Sequence, residues 1–454
     1  MVEYDAVIVG AGILGLSTAY HIKRSNPRAQ ILVIDKLSSS GQGNTARSAA
    51  AFRCIFSSAT NYTLADSSVE FYRHLQEDLG IDLKLQWLGY LWLLDEGEYK
   101  QTDQIFKSLE RRLNLEYQEY DEEYLTQKLS IRTDLTKDED AQTIGLKNVF
   151  GGILIPKAGV INDVDCLVKF YENEFLKLDG KIEYGVNAEK IIVEPNTPLG
   201  VTGEPYFWQS ARVAGVKTNR GLIRAKKTIL VTGAWMAQLL EPIGTECYIK
   251  PKKRQFFTLP ASNLGLRQLL SCKGFNSVES MPFTILPGIR IYIRPFPKEK
   301  SFWIGYADEF PRAFALEENP QPEKNFYEYG IYQVLTKYFP QFKDVRTSSA
   351  SAGLYEVNTL DGHPVIFEEN DLIVVGGASG SGISKADSIG RISAALYSGE
   401  EYACFYGERK FRVSDLGMRK SARAKHRTRK TNSLSSPYWE FMTLQNTISV
   451  AHDF

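Results

Sequence analysis

The 454-residue chain is short of the residues that build metal centres and disulfide frameworks, with only five cysteines and five histidines. Cys54, Cys166, Cys247, Cys272 and Cys404 are scattered and form no CxxC pair, which argues against a zinc site, an iron–sulfur site or a disulfide scaffold. Each reads as a buried small hydrophobe, and no bound metal is expected. Net charge is missing too. Lys+Arg and Asp+Glu balance at 54 each, so no overall field draws the chain to nucleic acid or to an anionic membrane. No apolar run reaches the roughly eighteen residues that would span a bilayer, so no integral membrane segment is expected. The sequence opens directly on an apolar strand pattern with no room for a secretory leader, and the expected compartment is cytoplasmic.

The chain is 43% hydrophobic and 24% charged, which suits a soluble globular protein, and its length calls for two domains or one elaborated α/β body. Its organising stretch is the first thirty-five residues. Tyr4 to Val9 is a β-type apolar run, Gly10-Ala11-Gly12-Ile13-Leu14-Gly15 follows at once, and Leu16 to Ile22 reads as a helix. Gly10 permits a tight strand-to-helix turn, Gly12 lets a pyrophosphate approach the backbone, and Gly15 lets helix pack on strand. The helix N-terminus faces the phosphates. A second apolar run, Ile31 to Ile34, ends in Asp35, where a carboxylate can accept both hydroxyls of an adenosine ribose. That acid disfavours a 2′-phosphate, leaving FAD or NAD.

Beyond Lys36 the loop Ser38 to Thr45 is polar, and Ala46 to Arg53 is small and basic. Residues 85 to 149 read as the first visit to a second domain. The strand Ile229 to Val231 ending in Thr232-Gly233-Ala234-Trp235 marks a return of βαβ-type structure. From about 241 the pattern turns to β, and a last buried strand, Leu372 to Val375, enters the Ser/Gly-rich junction Gly376 to Ile383 ahead of a helix. A nucleotide-binding domain interrupted by insertions explains this order better than two domains in series. The expected organisation is α/β (α+β). A discontinuous Rossmann-type domain takes 1–84, 150–240 and 348–416, and an inserted, mainly antiparallel-sheet domain takes 85–149 and 241–347. The basic tail 417–454, with seven Lys/Arg between Arg419 and Lys430, fits neither.

Four stretches together resemble one family, the D-amino-acid oxidase-like FAD-dependent oxidoreductases, a group that includes sarcosine oxidase, glycine oxidase and dye-linked L-proline dehydrogenase. They are Gly10 to Gly15 with Asp35, Gly43-Asn44-Thr45-Ala46-Arg47-Ser48, Val231 to Trp235, and Gly353-Leu354-Tyr355 through Pro364 into Gly377 to Gly382. The resemblance covers about residues 4 to 415. It implies FAD rather than NAD. Gly10, Gly12, Ile13, Leu14, Gly15, Asp35 and Lys36 would hold the ADP half. Asn44, Thr45, Arg47 and Ser48 would follow the pyrophosphate towards the flavin, and Gly233, Ala234 and Trp235 would form the far wall. Gly380, Ser381, Gly382 and Ile383 would run beside the isoalloxazine, where backbone N–H groups and a helix N-terminus suit the charge of a reduced ring. Relatives with covalent flavin carry cysteine or histidine where this chain has Gly353-Leu354 and Ala46, so non-covalent FAD is expected. The family's flavin-side lysine falls at Ser384, with Lys385 next to it.

Strand alternation in Arg290 to Pro295 places Tyr292 and Arg294 on one face, where a guanidinium and a phenol can clamp a substrate carboxylate. Arg53 is a second candidate for that carboxylate, and Tyr355 a candidate pocket wall. His363 reads as a turn residue. The resemblance implies oxidation of a small, secondary amino acid such as L-proline or sarcosine by hydride transfer to flavin N5, with oxygen, a quinone or a dye-like acceptor downstream. An FAD-dependent 2-hydroxy-acid dehydrogenase, a non-catalytic flavoprotein subunit of an electron-transfer complex, and an NAD enzyme stay open as other classes. So does assembly into an oligomer.

Overall fold

A computed structural model describes residues 3–56, 58–113 and 115–417, so the basic tail expected from Arg419 onward lies outside the described residues. The apolar runs picked out above become the centre of the first sheet. Five strands run parallel in the order Lys181–Tyr184, Ile31–Asp35, Glu3–Val9, Gly221–Leu230 and Leu372–Gly376. The antiparallel strand Val365–Glu369 closes one side, and the hairpin Ala188–Pro195/Ala211–Thr218 extends the early half of Gly221–Leu230. Strand residues Ala6, Val7, Ile8, Val33 and Ile34 are buried on both faces, as a parallel sheet under helices requires.

Helices Ile13–Ser25 and Gly382–Tyr397 lie against one another on this sheet, each directly following a glycine-rich turn. Gly15 is needed at that junction. A Cβ built there would stand 1.9 Å from the Gly10 carbonyl oxygen, and Gly10 itself has φ +113°, where a side chain is strained.

The second sheet has eight strands in the order Ser349–Asn358, Ile249–Pro260, Ser301–Gly305, Tyr292–Phe296, Phe283–Ile285, Tyr90–Leu94, Gly151–Ile155 and Gln118–Asp121. All of its pairs are antiparallel except Phe283–Ile285 with Tyr90–Leu94. Two of these strands lie in stretches that the sequence reading gave to the nucleotide-binding domain. By backbone pairing, Gly151–Ile155 and Ser349–Asn358 belong to the second sheet, so the crossings follow these strands rather than precede them. The reason is that strand pattern alone does not name the partner: Gly151–Ile155 is buried and apolar as a strand of either sheet would be, and Ser349–Asn358 is half-exposed with no marker of its sheet.

The cysteine reading needs correcting in part. All five are free, and Cys54, Cys247 and Cys272 are buried, but Cys166 is half-buried and Cys404 is exposed. Cys404 ends the short strand Tyr402–Cys404, whose alternate residues face solvent. Among the described residues no group of three or more His, Cys, Asp or Glu could hold a metal, and no helix is long and apolar enough to cross a membrane.

Candidate active site

A cavity of about 830 Å³ runs between the two sheets, from the hairpin entrance at Val186–Glu189 past the first glycine turn to Tyr292 and the Gly380–Ile383 junction. Gly10, Gly12, Ile13, Leu14, Gly15, Asp35, Lys36, Asn44, Thr45, Arg47, Ser48, Gly233, Trp235, Gly380, Gly382 and Ile383 all line it, together with Tyr292 and Tyr355. Segments nearly four hundred residues apart in the chain therefore face one space. Ala234 and Ser381 do not line it. Ala234 is buried behind the turn, and the Ser381 hydroxyl is turned to backbone, donating to the Ala378 carbonyl at 2.7 Å.

At the first turn the helix starts after Gly12 with no side-chain cap, leaving its N-terminal N–H groups to another acceptor. Ile13 N–H donates to Thr45 Oγ1 at 3.2 Å, which holds the polar loop against the turn. The Asp35 carboxylate accepts Ala11 N–H at 2.7 Å and Leu37 N–H at 2.8 Å, one on each oxygen. Each oxygen keeps a second lone pair, so the carboxylate is both fixed in place and still able to accept hydroxyls. Leu354 N–H donates to Asn44 Oδ1 at 2.8 Å, tying the loop to the second sheet, while Ser48 Oγ accepts Ala50 N–H at 3.0 Å. Arg47 reaches Asn319 Oδ1 at 3.2 Å.

Sequence reasoning missed several wall residues. Glu318, from the segment after Tyr306, accepts Trp235 Nε1–H at 2.8 Å and pairs with Lys36 at 2.7 Å, with the Lys36 ammonium 4.2 Å above the Trp235 ring. Arg254 lies 5.3 Å over the Tyr355 ring and pairs with Asp308 and Glu309. Glu356 stands next to Tyr355 and also lines the space. No local pattern marked Glu318 or Arg254, whereas Glu356 sits inside a stretch already singled out. At the far end, Gly380 has φ +83°, and a Cβ there would fall 2.4 Å from the Tyr355 ring, so the junction and that ring are fitted to each other.

The substrate-side candidates lie beside and behind this wall. Arg294 does not line the cavity. It sits one side chain back, two residues along the strand from Tyr292, and its guanidinium is 4.1 Å from the Trp303 ring, which stacks on the cavity-lining Phe256 at 4.6 Å. Arg294 is 1% exposed, and burial lowers its pKa to about 10, so it stays charged at neutral pH. One nitrogen donates to Asn162 Oδ1 at 2.8 Å, while Nε and Nη1 have no hydrogen-bond partner. Arg53 is also behind the wall, 3% exposed and 5.4 Å over the Phe56 ring. The buried Tyr90 hydroxyl, which feels the charges of both arginines, has no partner either.

Lys385 is fully buried in the first turn of the second helix, donating to Asn61 Oδ1 at 2.8 Å and to Ser381 Oγ at 2.5 Å. Burial, then the Arg53 charge, pushes its pKa well below the usual lysine range. The Glu356 carboxyl is pushed the other way, up to about 7, by burial that the Ala378 and Gly377 N–H groups only partly offset. His363 Nε2 contacts Ser58 Oγ at 2.6 Å, in the turn before strand Val365–Glu369.

A glycine cradle at an uncapped helix start, a fixed carboxylate at the end of the next strand and a second glycine junction face one cavity and could hold a dinucleotide. Among the described residues that line the cavity there is no cysteine or histidine. The chain belongs to the FAD-dependent oxidoreductase family, "DAO: FAD dependent oxidoreductase", which it matches over residues 5–396. It is similar to the FAD-dependent oxidoreductase domain-containing protein 1 of Bos taurus, at 22% identity over 433 residues, covering 86% of this chain and 80% of that protein. The peroxisomal sarcosine oxidase of Homo sapiens is 28% identical over 251 residues, 54% of each chain. The crystal structure of L-proline dehydrogenase from P. horikoshii shares the fold with a TM-score of 0.70 at 20% identity, covering 93% of this chain and 98% of that one. The protein is thus an FAD-dependent oxidoreductase, with FAD as its cofactor.

Proposed function

We propose that the protein oxidises the C–N bond of a small secondary amino acid, such as L-proline or sarcosine. FAD bound along the cavity supplies the hydride acceptor. The observation that carries the reading is Arg294, a buried and charged guanidinium with two nitrogens lacking a hydrogen bond, a neutral amide as its hydrogen-bond partner and the Trp303 and Phe296 rings beside it. A charge buried that way is costly, and a carboxylate offered to the open Nε/Nη1 edge forms the bidentate pair it lacks. The Tyr292 phenol on the same strand face stands between that anchor and the cavity, and Arg53 adds positive charge nearby.

A carboxylate drawn to this end leaves the amine-bearing carbon towards the Gly380–Ile383 junction. There the N-terminus of helix Gly382–Tyr397 favours negative charge. A cation-rich, dry surrounding also favours loss of the ammonium proton from the bound substrate, so the neutral amine can react without a dedicated protein base. Burial holds Lys385 towards its neutral form and keeps Tyr292 protonated. The N-methyl- and cyclic-amine activities named in the sarcosine oxidase and L-proline dehydrogenase relatives support the choice of substrate class. Anaerobic mixing of the FAD-loaded protein with L-proline, sarcosine, glycine and 2-hydroxyglutarate provides the test. Loss of the flavin's visible absorbance with L-proline or sarcosine is expected. Bleaching by the hydroxy acid alone, or by none of the four, overturns the proposal.

A further inference from the structure

Glu356 is a half-buried acid that the amine chemistry leaves unused. It lies on strand Ser349–Asn358 and lines the cofactor cavity between the two glycine-rich turns. Its Oε2 is shut off from solvent and has no hydrogen-bond partner; a Cβ placed on Gly376 would lie 3.0 Å from that oxygen and one on Gly233 3.8 Å from it. Oε1 receives only the long Ala378 N–H contact at 3.4 Å. An ionised carboxylate wants several good donors, and this one has only the long Ala378 contact and the weak influence of the Gly377 N–H. We propose that Glu356 is a further residue of the cofactor site, held as the uncharged acid when FAD is bound, so that loading the cofactor takes up a proton from water.

The surroundings supply no cation to hold the ionised form. Across the strand pair Glu356 faces Pro251, whose neighbours are the exposed Lys250 and the buried Lys252, the latter paired with Glu309. The turn Gly376–Gly380 and the stretch Gly233–Trp235 bring no titratable side chain. Elsewhere on the cavity wall Lys36 is paired with Glu318, Arg254 with Asp308 and Glu309, and Asp35 is bound by backbone, leaving Arg47 and Glu189 as the other charges. The diphosphate of FAD carries two negative charges into this space, and a second anion on the same wall would be disfavoured by both burial and repulsion. As an acid, Glu356 instead becomes an O–H donor in a site full of acceptors. The bookkeeping is simple: the carboxylate fraction present before binding picks up one proton each, and nothing is oxidised or reduced.

Calorimetric titration of the flavin-free full chain with FAD, in phosphate and in Tris, reads the proton directly. At pH 8 the binding enthalpy should differ between buffers by close to one proton's worth of ionisation heat. At pH 6, where the acid is already protonated, the difference should vanish. Above pH 7 the FAD dissociation constant should weaken up to about tenfold per pH unit. Glu356→Gln keeps a donor without a charge and should show neither the uptake nor the pH dependence. Buffer-independent enthalpy in the natural chain at pH 8, or the same uptake in Glu356→Gln, overturns the proposal. Should that variant not fold, Glu356→Asp must shift the pH midpoint of uptake, and an unmoved midpoint also overturns it. The amine reading is untouched either way, because no substrate is added.

Discussion

Replacing Arg294 with methionine separates a binding role from a structural one, because the two predict opposite balances of stability and activity. Burial lowers the guanidinium pKa to about 10, which at about 1.4 kcal/mol for each tenfold change in proton affinity represents a cost of roughly 3.5 kcal/mol for keeping the charge inside the fold. Against that stand one charge-assisted bond to Asn162, worth about 2 kcal/mol, and the stacking on Trp303, worth about 1 to 2 kcal/mol. The sum is close to zero. Methionine of similar bulk should therefore leave stability within about 1 kcal/mol of the natural protein, a shift of about 2 °C or less for a chain this long. Loss of a buried side chain that holds structure together costs about 3 to 5 kcal/mol instead. Substrate binding should suffer in the other direction. Two charge-assisted bonds to a carboxylate, at about 1.5 kcal/mol each, predict a KM about a hundredfold higher, with FAD content unchanged. Thermal unfolding of the holoenzyme and steady-state kinetics with the bleaching substrate decide the matter. A melting point about 5 °C or more lower with KM unchanged would refute the argument and make Arg294 a structural residue.

Three further outcomes follow from other parts of the cavity. Gly15→Ala puts a carbon 1.9 Å from the Gly10 carbonyl oxygen, so turn and helix must separate; the purified variant should be colourless while retaining a folded circular dichroism spectrum, and full yellow occupancy would contradict this. In flavin-free protein Glu356 is raised from 4.5 to about 7, so its stabilising share is complete below about pH 4.5 and lost as pH rises through 7; Glu356→Gln should unfold at higher urea than the natural chain at pH 8, by up to about 3 kcal/mol. Glu318→Gln should weaken FAD binding less than about fivefold, since the Lys36 and Glu318 side chains are 33% and 63% exposed and water screens the pair; a larger loss in a fluorescence titration would show the contact to be stronger than an exposed pair allows.

How much of the site was legible depended on whether the relevant chemistry is local in the chain. The Gly10–Gly15 turn with Asp35 could be read from sequence because strand, turn, helix and acid must occur within one βαβ unit for the backbone to meet a phosphate. The Thr45–Ser48 stretch and the Gly380–Ile383 junction were legible as small, polar wording that leaves room for a bulky group. Tyr292 and Arg294 were legible as neighbours on one strand face by alternation alone. The depth of Arg294 behind Tyr292 was not, since period two says which side a residue takes and nothing of what covers it.

Sequence alone determined the nucleotide-binding turn, the acid that follows it, the neutral overall charge and the lack of a metal-binding spacing, because each is set by neighbours within a few dozen residues or by composition. Only the tertiary structure decided that strands Gly151–Ile155 and Ser349–Asn358 pair in the second sheet, that Glu318 reaches across to Lys36 and Trp235, and that Arg294 and the Glu356 Oε2 atom are shut off from solvent without a countercharge in hydrogen-bond contact. Those facts rest on contacts between segments about 30 to 280 residues apart. Dielectric surroundings and unsatisfied valences belong to the packed fold, and no stretch of chain carries them by itself.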